Sequence, residues 1–167
     1  AALDAGAPIA FLYVLDPAMK ARGVGHAQLG FIVEGLEDLH ARLAERGGGL
    51  IVRRGDTVEH LLDVARELGV EAVFANRDEE PAAGLVEQAA EDALRVRRVL
   101  EELPAPPHDY DLTGRLHPAP APEIPSVETL VGRPVSLRSD VPGGETHALA
   151  RLRAWRDGGF LARYAED

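Results

Sequence analysis

The stretch from Gly49 to Pro81 constrains the fold more than any other part of this chain. It reads as strand, helix, strand and polar loop. Leu50 to Arg53 is a short apolar run of the kind that makes a buried strand. Gly55 breaks it, and Asp56 or Thr57 can cap the next helix, with Glu59 or His60 in the first turn. Val58, Leu61, Leu62, Val64, Ala65 and Leu68 then recur at helical spacing, and Gly69 stops the helix. Ala72 to Ala75 is a second apolar run, read as a strand. Two parallel strands joined by one helix make a right-handed βαβ unit, and such sheets bind ligands beyond the carboxyl ends of their strands. The loop from Asn76 to Pro81 lies at such an end.

Upstream, Ala1 to Gly6 reads as the last turn of a helix, with Gly6 as its cap. Pro8 to Leu15 is nearly all apolar, which suits a central parallel strand. Asp16-Pro17 turns the chain. From Ala27 to Glu45 the positions Leu29, Ile32, Val33, Leu36, Leu39 and Leu43 repeat at three and four, so an amphipathic helix is predicted, ended by Gly47-Gly48-Gly49. Downstream, Pro81 to about Leu103 is again helical. Its register breaks near the Arg95-Val96-Arg97-Arg98 cluster. Most of the twelve prolines then fall between Pro104 and Pro142, the mark of an extended linker. A structureless loop of that length is uncommon inside one compact domain, so it is read as joining two units. Gly143-Gly144-Glu145-Thr146 introduces a last helix, with Ala148, Leu149, Leu152 and Trp155 on its apolar stripe. Phe160, Leu161 and Tyr164 continue that stripe.

The fold class read from this pattern is α/β. It consists of a Rossmann-like parallel sheet with helices on both faces, then a long proline-rich linker and a terminal helix. Pro8–Leu15, Leu50–Arg53 and Ala72–Ala75 are expected adjacent or nearly so, with Val14, Leu36, Leu39, Val52, Leu62 and Val73 buried. The units are residues 1–103, the linker 104–142, and residues 143–167 as the truncated start of a helical domain. With 167 residues, 46% of them hydrophobic, a packed core is feasible. A net charge of −10 argues against a nucleic-acid surface within this piece. The absence of cysteine excludes disulfides and thiolate metal sites. The six histidines show no metal-ligand spacing, so no metal is expected. No apolar run approaches the ~20 residues that span a membrane. No signal peptide is visible, and the cytoplasm is the expected location.

Three segments carry a family resemblance. They are the helix Phe31-Ile32-Val33-Glu34-Gly35-Leu36-Glu37-Asp38-Leu39; the pair Leu50-Ile51-Val52-Arg53-Arg54-Gly55-Asp56 and Val73-Phe74-Ala75-Asn76-Arg77-Asp78-Glu79-Glu80-Pro81; and Gly143-Gly144-Glu145 with Ala148-Leu149-Ala150-Arg151-Leu152 and Ala162-Arg163-Tyr164-Ala165-Glu166-Asp167. In that order, joined by a proline-rich connector, they resemble the amino-terminal part of the DNA photolyase and cryptochrome family. The match covers most of residues 1–81 and 120–167 and little of 85–118. Members begin with a strand and an Arg-Asp-Leu-Arg type loop, and carry a further strand and a Thr-Pro-Phe type loop before the linker. This chain lacks both. The expectation is therefore that segments are missing, with the ends joined near Leu94 to Arg97.

The resemblance implies an α/β domain that holds a light-harvesting antenna chromophore, paired with a helical domain that holds FAD. Excited reduced FAD would donate an electron to a cyclobutane pyrimidine dimer flipped out of damaged DNA, as in deoxyribodipyrimidine photo-lyase. The DNA would be bound through the missing helical domain, so this chain alone is expected to be inactive. Tyr164 matches a position that contacts the FAD phosphates. The antenna site would lie at the strand ends, with Asp16, Arg53, Asp56, Asn76, Asp78 and Glu80 as its candidate residues. Folate-binding members use an Asn-Glu pair just after the Glu-Pro loop. Ala82 and Ala83 stand there instead, which favours an 8-hydroxy-deazaflavin or FMN over folate.

Plainer roles exist for each residue. Asn76, Asp78 and Glu80 suit turn and helix amides, Arg53 and Arg54 a strand-end surface pair, and Trp155 and Tyr164 a packed interface. No Gly-x-Gly-x-x-Gly or phosphate-loop pattern occurs. Two alternatives stay open. One is a cryptochrome-like blue-light photoreceptor. The other is a nucleotide-binding α/β signalling module of the universal-stress type, without photochemistry.

Overall fold

A computed structural model of the protein describes residues 6–17, 23–74, 88, 112–135 and 141–158. Strand β1 is Phe11–Leu15, helix α1 His26–Ala44, strand β2 Leu50–Arg54 and helix α2 Thr57–Leu68. Helix α3, Val127–Val131, and helix α4, Glu145–Asp157, come after the proline-rich stretch begins. β1 and β2 pair in parallel with Phe11 opposite Leu50 and Leu15 opposite Arg54. The βαβ unit is therefore β1–α1–β2, an α/β arrangement around a parallel sheet.

The two faces of the sheet are set by that register. Ile9, Phe11, Tyr13 and Leu15 alternate along β1, with Leu50 and Val52 beside them on β2, and all six belong to the core formed with α1. Leu29, Val33, Leu36 and Leu43 supply the α1 side of it. Leu50 is the deepest, 2% exposed. The opposite face carries Val14 and Arg53, and α2 packs on it with Val64 and Ala65 buried.

Helix ends agree with local chemistry. Asp56 caps α2 by accepting from the Glu59 amide at 2.8 Å, and Gly69 closes it in the left-handed conformation. α1 has no side-chain N-cap at Gly25, and Gln28 reaches back to accept from the Gly25 amide at 3.1 Å. Ser126 caps the short α3.

Three expectations are corrected. Ala72 to Phe74 form no strand, so the sheet of the described residues has two strands. An apolar run expresses a preference for burial, but a strand also needs a ladder partner, and Phe74 is left 38% exposed. Leu39 is 40% exposed. At about 100° per residue it stands roughly 80° off the line of Leu29, Val33, Leu36 and Leu43. The position on that line is taken by His40, whose Nδ1 accepts from the Leu50 amide at 3.3 Å. Leu36 is buried as expected, whereas Val14, Val52, Leu62 and Val73 are half-buried.

The third correction concerns the proline-rich stretch. Residues 112–135 were expected to cross a surface in extended form, and they pack instead into the core through Leu116, Val127 and Leu130. The Ile9 amide donates to the Arg115 carbonyl at 2.7 Å, and the His117 amide donates to the Ile9 carbonyl at 2.8 Å. One parallel bridge, Ile9 with Leu116, results at the amino end of the sheet. Pro118, Pro120, Pro122 and Pro125 lack the amide a longer ladder would need.

Candidate functional site

The carboxyl ends of β1 and β2 meet at one corner of the sheet. The Gly55 amide donates to the Leu15 carbonyl at 3.2 Å, carrying the ladder one step past Arg54. The chain then turns directly into α2. Gly55 holds φ of +145°, a value L side chains rarely adopt, and a Cβ there would stand 2.6 Å from His60 Nε2. That nitrogen donates to the Arg54 carbonyl at 3.0 Å, which fixes the proton on Nε2. A glycine is required where the strand bends under the first turn of α2.

Two carboxylates frame the corner. Asp16, just after β1, accepts from the Thr57 hydroxyl at 2.9 Å, which ties the end of one strand to the helix that leaves the other. Asp56 covers the first turn of α2 through the Glu59 amide. The two acids face a helix N-terminus whose positive dipole favours negative charge. Arg53 points elsewhere. Its guanidinium donates to Glu67 Oε2 near the end of α2 at 3.2 Å, with side chains 39% and 55% exposed, so the pair contributes little to stability.

Of the residues read from the sequence, Asp16 and Asp56 are thus brought together at the strand ends, while Arg53 lies on the α2 face of the sheet. Asn76, Asp78, Glu80, Pro81 and Tyr164 lie outside the described residues, as do Ala82 and Ala83, the helix from Pro81 to Leu103, and the junction near Leu94 to Arg97. Thr57 and His60 were read only as residues of a helix start, and their part in the corner went unseen. Their position in the first turn after Gly55-Asp56 was the available signal. Among the described residues no three His, Asp or Glu side chains converge as metal ligands. No helix of those residues is long and apolar enough to cross a membrane.

This corner sets the carboxylates of Asp16 and Asp56 beside the first turn of α2, with the Glu59 amide taken by Asp56. It suits the N–H and O–H groups of a polar heterocycle. It does not suit a phosphate, which would meet Asp16 and Asp56 and find the Glu59 amide already taken.

A family model described as DNA photolyase matches residues 1–107. The deoxyribodipyrimidine photo-lyase of Thermus thermophilus is 32% identical over 179 residues, covering 96% of this chain and 41% of that protein. The deoxyribodipyrimidine photo-lyase of Streptomyces griseus is 35% identical over 101 residues, 60% of this chain and 21% of that one. The blue-light photoreceptor PHR2 of Arabidopsis thaliana is 36% identical over 66 residues, 37% of this chain and 15% of its own. A bacterial class III photolyase from Agrobacterium tumefaciens aligns with a TM-score of 0.49 and 27% identity, over 56% of this chain and 19% of that chain. The chain spans less than half the length of each of these curated relatives.

Proposed function

Because the chain belongs to the DNA photolyase family, we propose that it is the antenna-chromophore unit of a light-dependent DNA repair flavoprotein that splits cyclobutane pyrimidine dimers. The observation that carries this reading is the extent of the Thermus match. It runs over 96% of the chain, and so takes in the α/β unit, the proline-rich stretch and the terminal helix together. A nucleotide-binding signalling module would account for the sheet alone.

In this reading reduced FAD, bound mainly by a helical domain beyond these residues, supplies the photochemical electron transfer. The part of the present chain is to position. Asp16, Asp56 and Thr57 would hold the antenna chromophore by its hydrogen-bonding edge, with the loop Asn76–Pro81 as a further wall. A deazaflavin or flavin is favoured over folate by Ala82 and Ala83. Any phosphate it carries belongs away from the Asp16–Asp56 corner.

The test uses the full-length protein, reduced and loaded with FAD, and an oligonucleotide carrying one thymine dimer. Chromatography of the digested product should show dimer loss under near-ultraviolet or blue light and none in the dark. Intact dimers after illumination of the flavin-loaded protein would overturn repair. The photoreceptor reading, which the Arabidopsis match favours, would then take its place. Tyr164 has its own check. A phenol donating to an FAD phosphate contributes about 1.5–3 kcal/mol, so Tyr164→Phe should weaken FAD binding roughly 10- to 150-fold in a titration. Unchanged affinity would reduce Tyr164 to a packing residue.

A further inference from the structure

α4 has no buried residue along its length, and Leu152 and Trp155 of its apolar stripe are 57% and 41% exposed. Hydrophobic packing therefore does not hold it in place among the described residues. Its first turn is held differently. Glu34, Asp38 and Arg42 stand at intervals of four on α1, one above the other on one face. The Gly143 amide donates to Glu34 Oε2 at 2.5 Å. The Thr146 amide donates to Asp38 Oδ2 at 3.2 Å. Arg42 pairs with the Glu145 carboxylate. α4 has no N-cap side chain of its own, because Gly144 stands at that position, and Asp38 from another helix supplies the cap.

The fit is steric as well as polar. A Cβ on Gly143 would lie 2.2 Å from the Phe31 carbonyl oxygen, and one on Gly144, at φ +97°, would lie 2.7 Å from Asp38 Cβ. Each of residues 143 to 146 thus meets a counterpart on one stripe of α1, and two of the four must be glycine for the approach to occur.

We propose that the Glu34–Asp38–Arg42 stripe is an intramolecular latch for the segment Gly143-Gly144-Glu145-Thr146, and that this latch sets where α4 begins and which way it leaves the α/β unit. α4 is then a lever pinned at one end, its apolar stripe free to take further structure. This inference stands apart from the repair reading, since it concerns placement and not photochemistry.

The chain has no native cysteine, so a nitroxide pair at Ala27→Cys and Arg153→Cys, both exposed positions, labels it cleanly. Pulsed electron-spin distance measurement should give one narrow distribution in the otherwise unchanged 167-residue chain. Arg42→Glu should broaden and shift it by setting two carboxylates against each other, and adding Glu145→Arg should restore it. A second measurement does not depend on Arg42. Asp38→Ala should speed exchange of the Thr146 amide while the amides of β1 and β2 keep their protection. A broad distribution in the parent would overturn the latch. So would a distribution indifferent to Arg42→Glu in a chain of unchanged circular dichroism, a charge swap that fails to restore it, or Thr146 exchange unaffected by Asp38→Ala.

Discussion

At the scale of single residues, the corner after β2 shows how one glycine sets up a site. Gly55 combines a φ of +145° with a His60 nitrogen 2.6 Å from where its Cβ would be. Gly55→Ala must strain the backbone or displace the imidazole from the Arg54 carbonyl. Strain of this kind costs about 1–3 kcal/mol. Urea unfolding should show a loss of that order. A loss near zero would mean that the turn relaxes freely and that Asp56 and Thr57 are not held where the structure has them. The sequence announced the break at Gly55 and a cap at Asp56 or Thr57, because both depend on neighbours within four residues, and the structure gives the cap to Asp56. The link from Thr57 to Asp16 spans 41 positions and left no local trace.

At the scale of elements, the proline-rich stretch gives a clear test. If residues 112–135 were only a spacer, Leu116 would be indifferent to truncation. It is 7% exposed and sits in the core. Leu116→Ala is expected to destabilise the chain by about 2–5 kcal/mol, the range for buried leucines, read from the urea midpoint at unchanged slope. A loss within a few tenths of a kcal/mol would restore the spacer. α4 gives a pH prediction. The Thr146 hydroxyl, followed by the Thr146 amide, holds the Asp38 carboxyl below its ordinary value of about 3.8, with Arg42 acting in the same direction. A carboxylate with a lowered folded pKa contributes its stabilisation in full above the ordinary value and loses it as pH falls through the folded one. The start of α4 should therefore stay docked at about pH 5 and loosen below about pH 3.8, as monitored by exchange of the Thr146 amide. Asp38→Asn is the control, because it keeps the side-chain shape and removes the ionisable group. The acid step should shrink in that variant, and a step of undiminished size would show that Asp38 is not its source.

At the scale of the whole molecule, the described chain is one core with one lever. β1, β2, α1, α3 and the stretch around Leu116 share a single apolar cluster, and α4 stands outside it. Trp155, the chain's one tryptophan, lies on that lever at 41% exposure. In the 167-residue chain acrylamide should quench its fluorescence readily, and emission should lie toward the red. Protection from the quencher would show the α4 stripe covered, which a concentration series would trace to a second copy. Leu152 and Trp155 lie three positions apart on α4, both exposed.

The amino-acid sequence by itself determined α1, α2 and α4, the close of α2 at Gly69, the two strands that pair and the family, but not the short α3 or its Ser126 cap. These rest on apolar periodicity, on residues within a turn of one another, and on motifs in fixed order. Tertiary structure decided the rest. It gave His40, which helical periodicity already sets on the inward line of α1, its partner, the Leu50 amide. It denied Ala72 to Phe74 a ladder and gave a parallel bridge to Leu116 from a segment read as linker. It also brought Glu34, Asp38 and Arg42 to Gly143 and Thr146 across more than a hundred residues. Each outcome depends on which backbone group meets which partner at a distance. A preference written in neighbouring side chains does not encode that choice, and the packed chain makes it.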